Sequence, residues 1–287
     1  MRIRVNCKTE KLPIVYRHLF MSLIIQALNA SDRLLKEEFY PHSGGGDGER
    51  HTKVVKPFTF SVGLPRRSRV VKERFCVAGD VEVEDTVFYF DPGEYVSLYV
   101  SSCDYQFIAS LYNGLLEKRS FEVGSGISLE VHRVYMLSER KITGDCVVFK
   151  AHSPVSIEGK DGKRLLPIDE NGVGKDGEAL RVFNDEFNAI HGRLFRELRG
   201  DGESRGVGLY RPLVFRPLAV RKKVVKHAIK DAVERFVHKK KEVPLMYLTV
   251  FEGTFEVSGD ERDLLLLYQA GVGLRTGQGF GMVEVER

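Results

Sequence analysis

Segments with the patterns of strands and helices follow one another in the same order twice along this chain, and this order constrains the fold most. In the first copy, residues 2–7 alternate as a strand does, and an apolar stripe at helical spacing covers residues 15–28. A second helix, with Asp104 as its N-cap, precedes a strand at 127–137. Between these helices the strand-like segments are 58–62, 70–77, 81–90 and 95–100. The Asp-Pro-Gly turn at 91–93 predicts that the last two pair as a hairpin.

The second copy starts with a strand pattern at 146–157 and ends with another at 282–285. Its first helix is marked by the apolar stripe Phe183, Phe187, Ile190, Leu194 and Leu198. Two strands at 213–220 and 245–257 follow, and Asp260 caps a second helix. The sequence therefore predicts an α+β chain of two tandem ferredoxin-like domains, each an antiparallel sheet with two helices on one face. The predicted domains are residues 1–140 and 141–287.

Positive charge is concentrated in two segments, although the formal net charge of the chain is only +4. Residues 221–241 contain nine Lys and Arg against two acidic residues. The second segment holds Arg66, Arg67, Arg69, Lys72 and Arg74. Such clustering favours a polyanionic partner, with a solvated charged surface as the alternative. Helical spacing of apolar residues at 228–237 predicts either a helix inserted in the first segment or a strand that continues into one.

A glycine-rich segment precedes the last predicted strand. Its glycines are Gly271, Gly273, Gly277, Gly279 and Gly281. Glycine allows left-handed backbone and close approach to a ligand, so such a loop can direct several N–H groups at one phosphate. Arg275 adds a fixed positive charge there. A flexible turn is the alternative, but the direct passage into a strand favours a rigid binding loop.

Composition narrows the class of protein further. The four cysteines are far apart and form no CxxC pair, which predicts buried free thiols and neither a zinc site nor a disulfide framework. No HExxH, Walker or GxSxG motif occurs, so a mechanism without metal or cofactor is the simplest expectation. No apolar run approaches the ~18 residues of a membrane span, and no signal-peptide pattern is present. A cytoplasmic protein without a membrane partner is expected.

The segment at 40–61 carries the candidate catalytic residues. Four glycines follow Tyr40, and His51 and Lys56 lie where regular structure is expected to resume. A histidine with a near-neutral pKa can take a proton from a ribose 2′-hydroxyl, and a lysine can stabilise charge on the phosphate or leaving oxygen. This pair could therefore cleave RNA without metal. His42 is an equally reachable alternative to His51.

Taken together, these features resemble those of the CRISPR-associated endoribonucleases that process repeat RNA, members of the RAMP superfamily. The resemblance covers nearly the whole chain. Its most specific part is GVGLRTGQGFGMVEV at 271–285, which is similar to the family's C-terminal glycine-rich signature. HTKVVKPFTFS at 51–61 is similar to the family's active-site segment, and LYNGLL at 111–116 and SPVSI at 153–157 are less diagnostic.

The resemblance implies metal-independent cleavage of CRISPR precursor RNA within each repeat, leaving 2′,3′-cyclic phosphate and 5′-hydroxyl ends. His51 would be the general acid–base and Lys56 the stabiliser of the phosphate. The RNA-binding residues would be Gly271, Gly273, Arg275, Gly277, Gln278, Gly279 and Gly281 of the loop, with Arg221, Lys222, Lys223 and Lys226 of the basic segment. The implied partners are the repeat RNA, other CRISPR-associated effector subunits and, as one option, a second copy of the chain.

One departure from the family keeps an alternative open. Several relatives have a catalytic tyrosine on the first helix, but the nearest positions here, 25–27, carry no phenol. Tyr16 and Tyr40 are the nearest substitutes, and Tyr40 is kept as a further catalytic candidate. The alternative function is a non-catalytic RNA-binding subunit of a CRISPR effector complex. A general RNA binder of the RRM type would need exposed aromatics on its middle strands, and no KGFGFVxF-like run is present.

Overall fold

The computed structural model describes residues 1–41, 54–78, 81–199, 206–228 and 245–286. The strands are β1 (Arg2–Lys8), β2 (Lys11–Pro13), β3 (Phe58–Gly63), β4 (Arg69–Ala78), β5 (Val81–Tyr89), β6 (Val96–Ser102), β7 (Ser120–Gly124), β8 (Ile127–Leu137), β9 (Cys146–Ala151), β10 (Val214–His227), β11 (Met246–Ser258) and β12 (Val283–Val285). The helices are α1 (Arg17–Ser31), α2 (Arg33–Phe39), α3 (Tyr105–Lys118), α4 (Gly177–Leu198) and α5 (Glu261–Ala270). A 3-10 turn at Thr276–Gln278 lies within the glycine-rich segment.

The first half of the chain contains a five-stranded antiparallel sheet in the order β3-β6-β1-β8-β7. In β1, Ile3, Val5 and Cys7 are completely buried, because alternate residues of a strand point to one face. Helices α1 and α3 cover that face and touch each other: a Cβ on Gly114 would lie 1.9 Å from the carbonyl oxygen of Ala27. The order β3-β6-β1-β8 is that of a ferredoxin-like unit.

The second half repeats this architecture. Its sheet has the order β10-β11-β9-β12, with α4 between β9 and β10 and α5 between β11 and β12. The core is rich in phenylalanine and includes Phe149, Phe183, Phe187, Phe215, Phe251 and Phe255. Asp260 caps α5 as predicted, since its carboxylate accepts from the Arg262 N–H at 3.0 Å. The predicted pair of ferredoxin-like folds is confirmed; the predicted division at residue 140 stays a prediction and falls between the two main sheets.

A third sheet, in the order β2-β5-β4, corrects one sequence-based expectation. Strands β5 and β6 do not form the predicted hairpin, because they belong to different sheets. A turn does form at 91–94, where the Glu94 N–H donates to the Asp91 carbonyl at 3.1 Å. Both edges of β6 are occupied by β1 and β3, so β5 pairs with β4 and β2 instead.

The third sheet also contacts the second half of the chain. Phe75, Val77 and Val87 pack in one cluster with Ala228 and Leu245. The first part of the basic segment is the end of β10, which continues as a strand through residue 227. The helix expected at 228–237 lies almost entirely outside the described residues.

Candidate functional site

The glycine-rich loop, residues 271–281, contacts both halves of the molecule. On one side, the Leu274 N–H donates to the Ser156 carbonyl at 2.8 Å. On the other, the Thr59 hydroxyl donates to the Phe280 carbonyl at 2.8 Å. The loop is therefore held at the junction of the two ferredoxin-like units by bonds from each.

Glycine is required in this loop by close approach as well as by backbone conformation. Gly273 has φ +80°, and a Cβ there would lie 2.5 Å from the Ser156 carbonyl oxygen. Gly279 has φ +83°, and its Cβ would lie 2.7 Å from the ring of Phe60. Since a side chain fits at neither position, the glycines serve to pack the loop backbone against β3 and the 153–157 segment.

A buried histidine on α4 fixes one amide of the loop. His191 is completely buried, and its Nε2 accepts a hydrogen bond from the Gly273 N–H at 2.9 Å. Its Nδ1 lies 2.7 Å from the Phe187 carbonyl, so Nδ1 carries the proton and donates. Burial lowers the pKa of His191 to about 4, which keeps this tautomer neutral at physiological pH.

Lys56 lies against the loop. A Cβ on Gly277 would be 2.7 Å from Lys56 Cγ, and Lys56 Nζ lies 4.3 Å from the centre of the Tyr40 ring. Burial lowers the pKa of Lys56 to about 8. The Tyr40 hydroxyl is buried with no hydrogen-bond partner among the described residues, and burial raises its pKa. Three predicted elements thus meet: Lys56, Tyr40 and the glycine loop.

The two histidines predicted for catalysis, His51 and His42, lie outside the described residues. Three basic residues that the sequence did not single out lie at the loop instead. Arg17, at the start of α1, donates from Nε to the Gly279 carbonyl at 3.3 Å and lies 5.1 Å from the centre of the Phe280 ring. Burial lowers the pKa of Arg17. In the sequence, this position was marked only by an arginine near the start of the apolar stripe at 15–28.

His18 and His227 accompany Arg17. His18 Nδ1 lies 2.6 Å from the Val15 carbonyl, and burial lowers its pKa. His227, at the end of β10, is completely buried with its ring edge-on to Phe280, and neither ring nitrogen has a hydrogen-bond partner of good geometry among the described residues. Burial, and then the charges of Arg17 and Arg275, lower the pKa of His227 to about 3. The Gln278 side chain opposes this shift without reaching hydrogen-bond geometry.

A small cleft of about 120 Å³ opens beside these residues between the two halves. The first half contributes Tyr16, Arg17 and Ser61, and the second half contributes His152, Lys223 and Glu252 among others. Arg275, whose pKa is also lowered by burial, donates to the Gln278 side-chain oxygen at 3.0 Å. The arrangement concentrates desolvated cations, which suits a phosphate group.

The predicted cations of β10 have different surroundings. Arg221 and Lys223 both pair with Glu252, at 2.6 Å and 2.7 Å. Lys226 pairs with Asp85 of β5 at 2.5 Å. Lys222 is exposed on the edge strand, and no ion pair links it to another described residue. Lys222 is therefore the β10 cation best placed to meet a polyanion without first leaving a carboxylate.

The described ranges hold no group of three His, Cys, Asp or Glu side chains that could bind a metal ion. All four cysteines are free thiols, but only Cys7 is buried as expected; Cys76 and Cys103 are half-buried and Cys146 is exposed. Among the helices of the described part, none has both the length and the apolar character needed to cross a membrane.

The architecture is thus two tandem ferredoxin-like units with a glycine-rich loop held between them. Solved structures agree in fold over the full length. One is described as "An RAMP protein binding different RNA substrates" and covers 100% of both chains at 18% identity with a TM-score of 0.65. A Cas6-related protein from Pyrococcus furiosus has a TM-score of 0.64 at 19% identity, and the match covers 100% of this chain and 99% of that one. A Cas6 product complex has a TM-score of 0.58 at 14% identity, and the match covers 99% of this chain and 98% of that one.

The family follows from sequence. The model for the C-terminal part of the CRISPR-associated protein Cas6 matches residues 137–285, more than half of the chain. This protein belongs to the Cas6 family. No protein with a curated function matches it. The resemblance stated from the motifs is thereby confirmed.

Proposed function

We propose that this protein is a metal-independent endoribonuclease that cleaves CRISPR precursor RNA within the repeats. The observation that carries the proposal is the packing of Lys56 against the glycine loop, with 2.7 Å between Lys56 Cγ and the position of a Cβ on Gly277. A desolvated lysine beside the loop that carries Arg275 suits transesterification. The solved Cas6 product complex and the RAMP protein described as binding RNA substrates support an RNA substrate for this family member.

In the proposed reaction, the ribose 2′-hydroxyl attacks the adjacent phosphorus while His51 accepts its proton. The new 2′-O–P bond forms as the P–O5′ bond breaks, and the imidazolium returns the proton to the leaving 5′-oxygen. The products are a 2′,3′-cyclic phosphate and a 5′-hydroxyl. The Lys56 ammonium stabilises the charge that develops on the phosphate, and the glycine loop with Arg275 holds the phosphate in place.

Arg17 has a supporting role in this proposal. Its Nε bond to the Gly279 carbonyl ties helix α1 to the loop, while the rest of its guanidinium remains able to donate to a phosphate. Tyr40 lies over Lys56 and shields its ammonium group from water. We therefore assign to Tyr40 the role of keeping Lys56 desolvated. It does not take the catalytic role of the tyrosine that several relatives have on the first helix.

The test is cleavage of a cognate repeat RNA in excess EDTA. Full cleavage with cyclic phosphate ends is expected, because no step uses a metal. A single 2′-deoxy substitution immediately 5′ of the cut is expected to abolish cleavage while binding persists, since the 2′-oxygen is the nucleophile. Cleavage that requires a divalent ion, or that tolerates the deoxyribose, would contradict the mechanism.

The choice between the two histidines is tested by a matched pair of variants. His51→Ala is expected to lower the cleavage rate by roughly 10²–10⁴ without weakening RNA binding, and His42→Ala to leave the rate unchanged. The reverse result would assign the general acid–base role to His42.

The second candidate function, a non-catalytic effector subunit, is favoured by the lack of a phenol at residues 25–27 of α1. Tight binding of an intact repeat RNA by the wild-type protein, with no cleavage under any condition, would select it.

A further inference from the structure

The basic segment at 66–74, which the proposed function does not use, leads into an open edge of the third sheet. Strand β4 pairs with β5 and has no other partner among the described strands. The cations of this segment are all exposed: Arg66, Arg67, Arg69, Lys72 and Arg74. The outer edge of a sheet presents a row of unpaired backbone N–H and C=O groups. This segment therefore combines positive charge with free backbone donors and acceptors.

A hydrogen bond at the other end of β4 shows which backbone groups are free. Ser125, in the turn between β7 and β8, donates from its hydroxyl to the Cys76 carbonyl. This carbonyl therefore points away from β5. In an antiparallel strand, both backbone groups of every second residue point to the same edge, so those of Val70, Lys72 and Arg74 also point outward. No hydrogen bond from another described element reaches them.

The side chains of the same three residues lie on one face of the third sheet, opposite the face that packs against the second half of the chain. Val70 is 60% exposed, and Lys72 is exposed with no ion pair to another described residue. Arg74 approaches Glu84 of β5 only to 3.9 Å, and both side chains are exposed. The open edge therefore presents one apolar position followed by two cations.

The only acid within the basic segment is already paired. The Glu73 carboxylate accepts from Lys11 Nζ at 2.8 Å and from the Tyr89 hydroxyl. Arg69 lies over the same tyrosine, 4.9 Å from the centre of its ring. Because this acid is occupied by neighbours within the sheet, the positive charge along the edge is left for a partner.

Three kinds of occupant differ in how they match this edge. RNA offers acceptors to the outward N–H groups, but its phosphates repel the carbonyl oxygens that alternate with them. A second copy of β4, paired antiparallel, would set cations opposite cations, which is unfavourable. A strand from an acidic protein segment supplies donors and acceptors at the same spacing, together with carboxylates for the cations.

We propose that the open edge of β4 binds an acidic, extended segment of a partner protein, which adds a fourth strand to the third sheet. In antiparallel pairing, the pattern acid-x-acid-x-apolar places carboxylates opposite Arg74 and Lys72 and an apolar side chain opposite Val70. Further acids after the apolar residue reach Arg67 and Arg66. This inference does not depend on the proposed cleavage of RNA.

A synthetic peptide tests the pairing with the full-length protein. The probe is the dye-labelled peptide TETETVTEE, and saturable binding is expected in fluorescence polarisation. The matched control carries N-methyl groups on its first two glutamates and its valine, which keeps the charge but removes three donors to β4. It is expected to bind at least about tenfold more weakly, because three backbone hydrogen bonds are lost. Equal binding of the two peptides, or no binding of the first, would overturn the proposal.

Amide hydrogen exchange, followed by NMR, locates the bound peptide. Exchange is expected to slow at the amides of Val70, Lys72 and Arg74, which gain partners. The amides of Val71 and Glu73 point toward β5 and should change little. Protection elsewhere in the protein with none along β4 would place the peptide on another surface and contradict the proposal.

Two variants separate backbone pairing from charge. Val70→Pro removes one outward N–H and is compatible with the fold, because proline is tolerated on an edge strand when its position faces solvent; peptide binding should weaken about tenfold. Lys72→Gln with Arg74→Gln should weaken it about three- to tenfold at low salt, and the difference should shrink at 1 M salt. The matched control, Arg193→Gln with Arg196→Gln on exposed positions of α4, should keep wild-type affinity. Wild-type affinity in both β4 variants would refute the edge.

RNA is the competing ligand for this surface. A dye-labelled single-stranded RNA is expected to bind the wild type and the Lys72→Gln, Arg74→Gln variant equally. If that variant loses RNA affinity and the wild type does not bind the peptide, the edge is an RNA surface and the proposal fails. If the peptide binds as expected but the wild-type protein never cleaves a repeat RNA, the endonuclease assignment fails and this inference stands.

Discussion

The environment of Lys56 determines its charge in the pH range where the proposed reaction would be measured. Burial places its pKa at about 8 instead of its ordinary 10.5, so the ammonium form prevails below pH 8 and the neutral amine above it. If the charged form stabilises the phosphate, the cleavage rate should fall as the pH rises through about 8.

The lowered pKa of Lys56 also affects folding stability. Between about pH 8 and 10.5 the unfolded chain holds a proton on Lys56 that the folded chain has lost, so this group makes folding more favourable as the pH rises there.

Replacing Lys56 by Arg tests that role. A guanidinium stays charged well above pH 8, so we expect the basic limb of the pH–rate profile to move upward or disappear in Lys56→Arg. The measurement is the single-turnover cleavage rate at several pH values. Lys36→Arg on helix α2 serves as a control and should keep the wild-type profile. An unchanged basic limb in Lys56→Arg would show that another group titrates.

At the scale of the elements, helix α4 supports the glycine loop through His191. The neutral ring bridges the Phe187 carbonyl and the Gly273 N–H, and no hydrophobic side chain can do both. We expect His191→Phe to destabilise the protein by about 1–3 kcal/mol, because it leaves buried polar groups unpaired. It should also weaken RNA binding by releasing the loop. Urea denaturation and an RNA-binding titration measure the two effects.

The His191 bridge also predicts that folding stability depends on pH. The pKa of His191 is about 4 when folded and near 6.5 when unfolded, so the unfolded chain binds the proton more readily. The stability from this residue is therefore complete above pH 6.5 and is lost as the pH falls toward 4. His191→Phe should flatten that part of the stability curve. His132→Phe, at an exposed position of β8, should leave it as in wild type, and equal slopes in all three proteins would contradict this account.

Much of the secondary structure was predictable, and much of the site was not, for one physical reason. Periodic burial along β1 or α4 shows which side chains face a core, and Asp104 and Asp260 mark helix starts through local bonds. What covers an element is decided by residues far away in sequence. The hydrogen bond from Thr59 to Phe280 spans 221 positions, and the local sequence of neither segment predicts it. The β5–β6 hairpin failed as a prediction for the same reason, and Arg17 and His227 were missed because their neighbours come from both halves.

At the scale of the whole molecule, one buried arginine joins the first strand to the last. Arg2 is 2% exposed, and its guanidinium donates to the carbonyls of Tyr268 and Val283 at 2.6 Å and 2.7 Å and to the Glu284 carboxylate at 2.8 Å. Its carbon also lies 3.5 Å from the centre of the Tyr268 ring. Burial lowers the pKa of Arg2, and Tyr268 and Glu284 oppose that shift. His152 of the cleft lies near Arg2 and Glu284, so this interface borders the cleft.

Arg2→Met should therefore affect both stability and function. Methionine fills part of the volume but removes the guanidinium that donates to two carbonyls and a carboxylate, for which we expect a loss of about 3 kcal/mol in urea denaturation. The matched control is Lys150→Met, which breaks an exposed pair to Glu286 with side chains 58% and 42% exposed, and should cost under about 1 kcal/mol. Assayed where both variants remain folded, Arg2→Met should cleave more slowly, because the halves that carry Lys56 and the glycine loop are less firmly held together. Equal destabilisation by the two variants would mean that the buried arginine adds nothing beyond a surface ion pair, and that other contacts between the halves, such as Thr59 to Phe280, hold them in place.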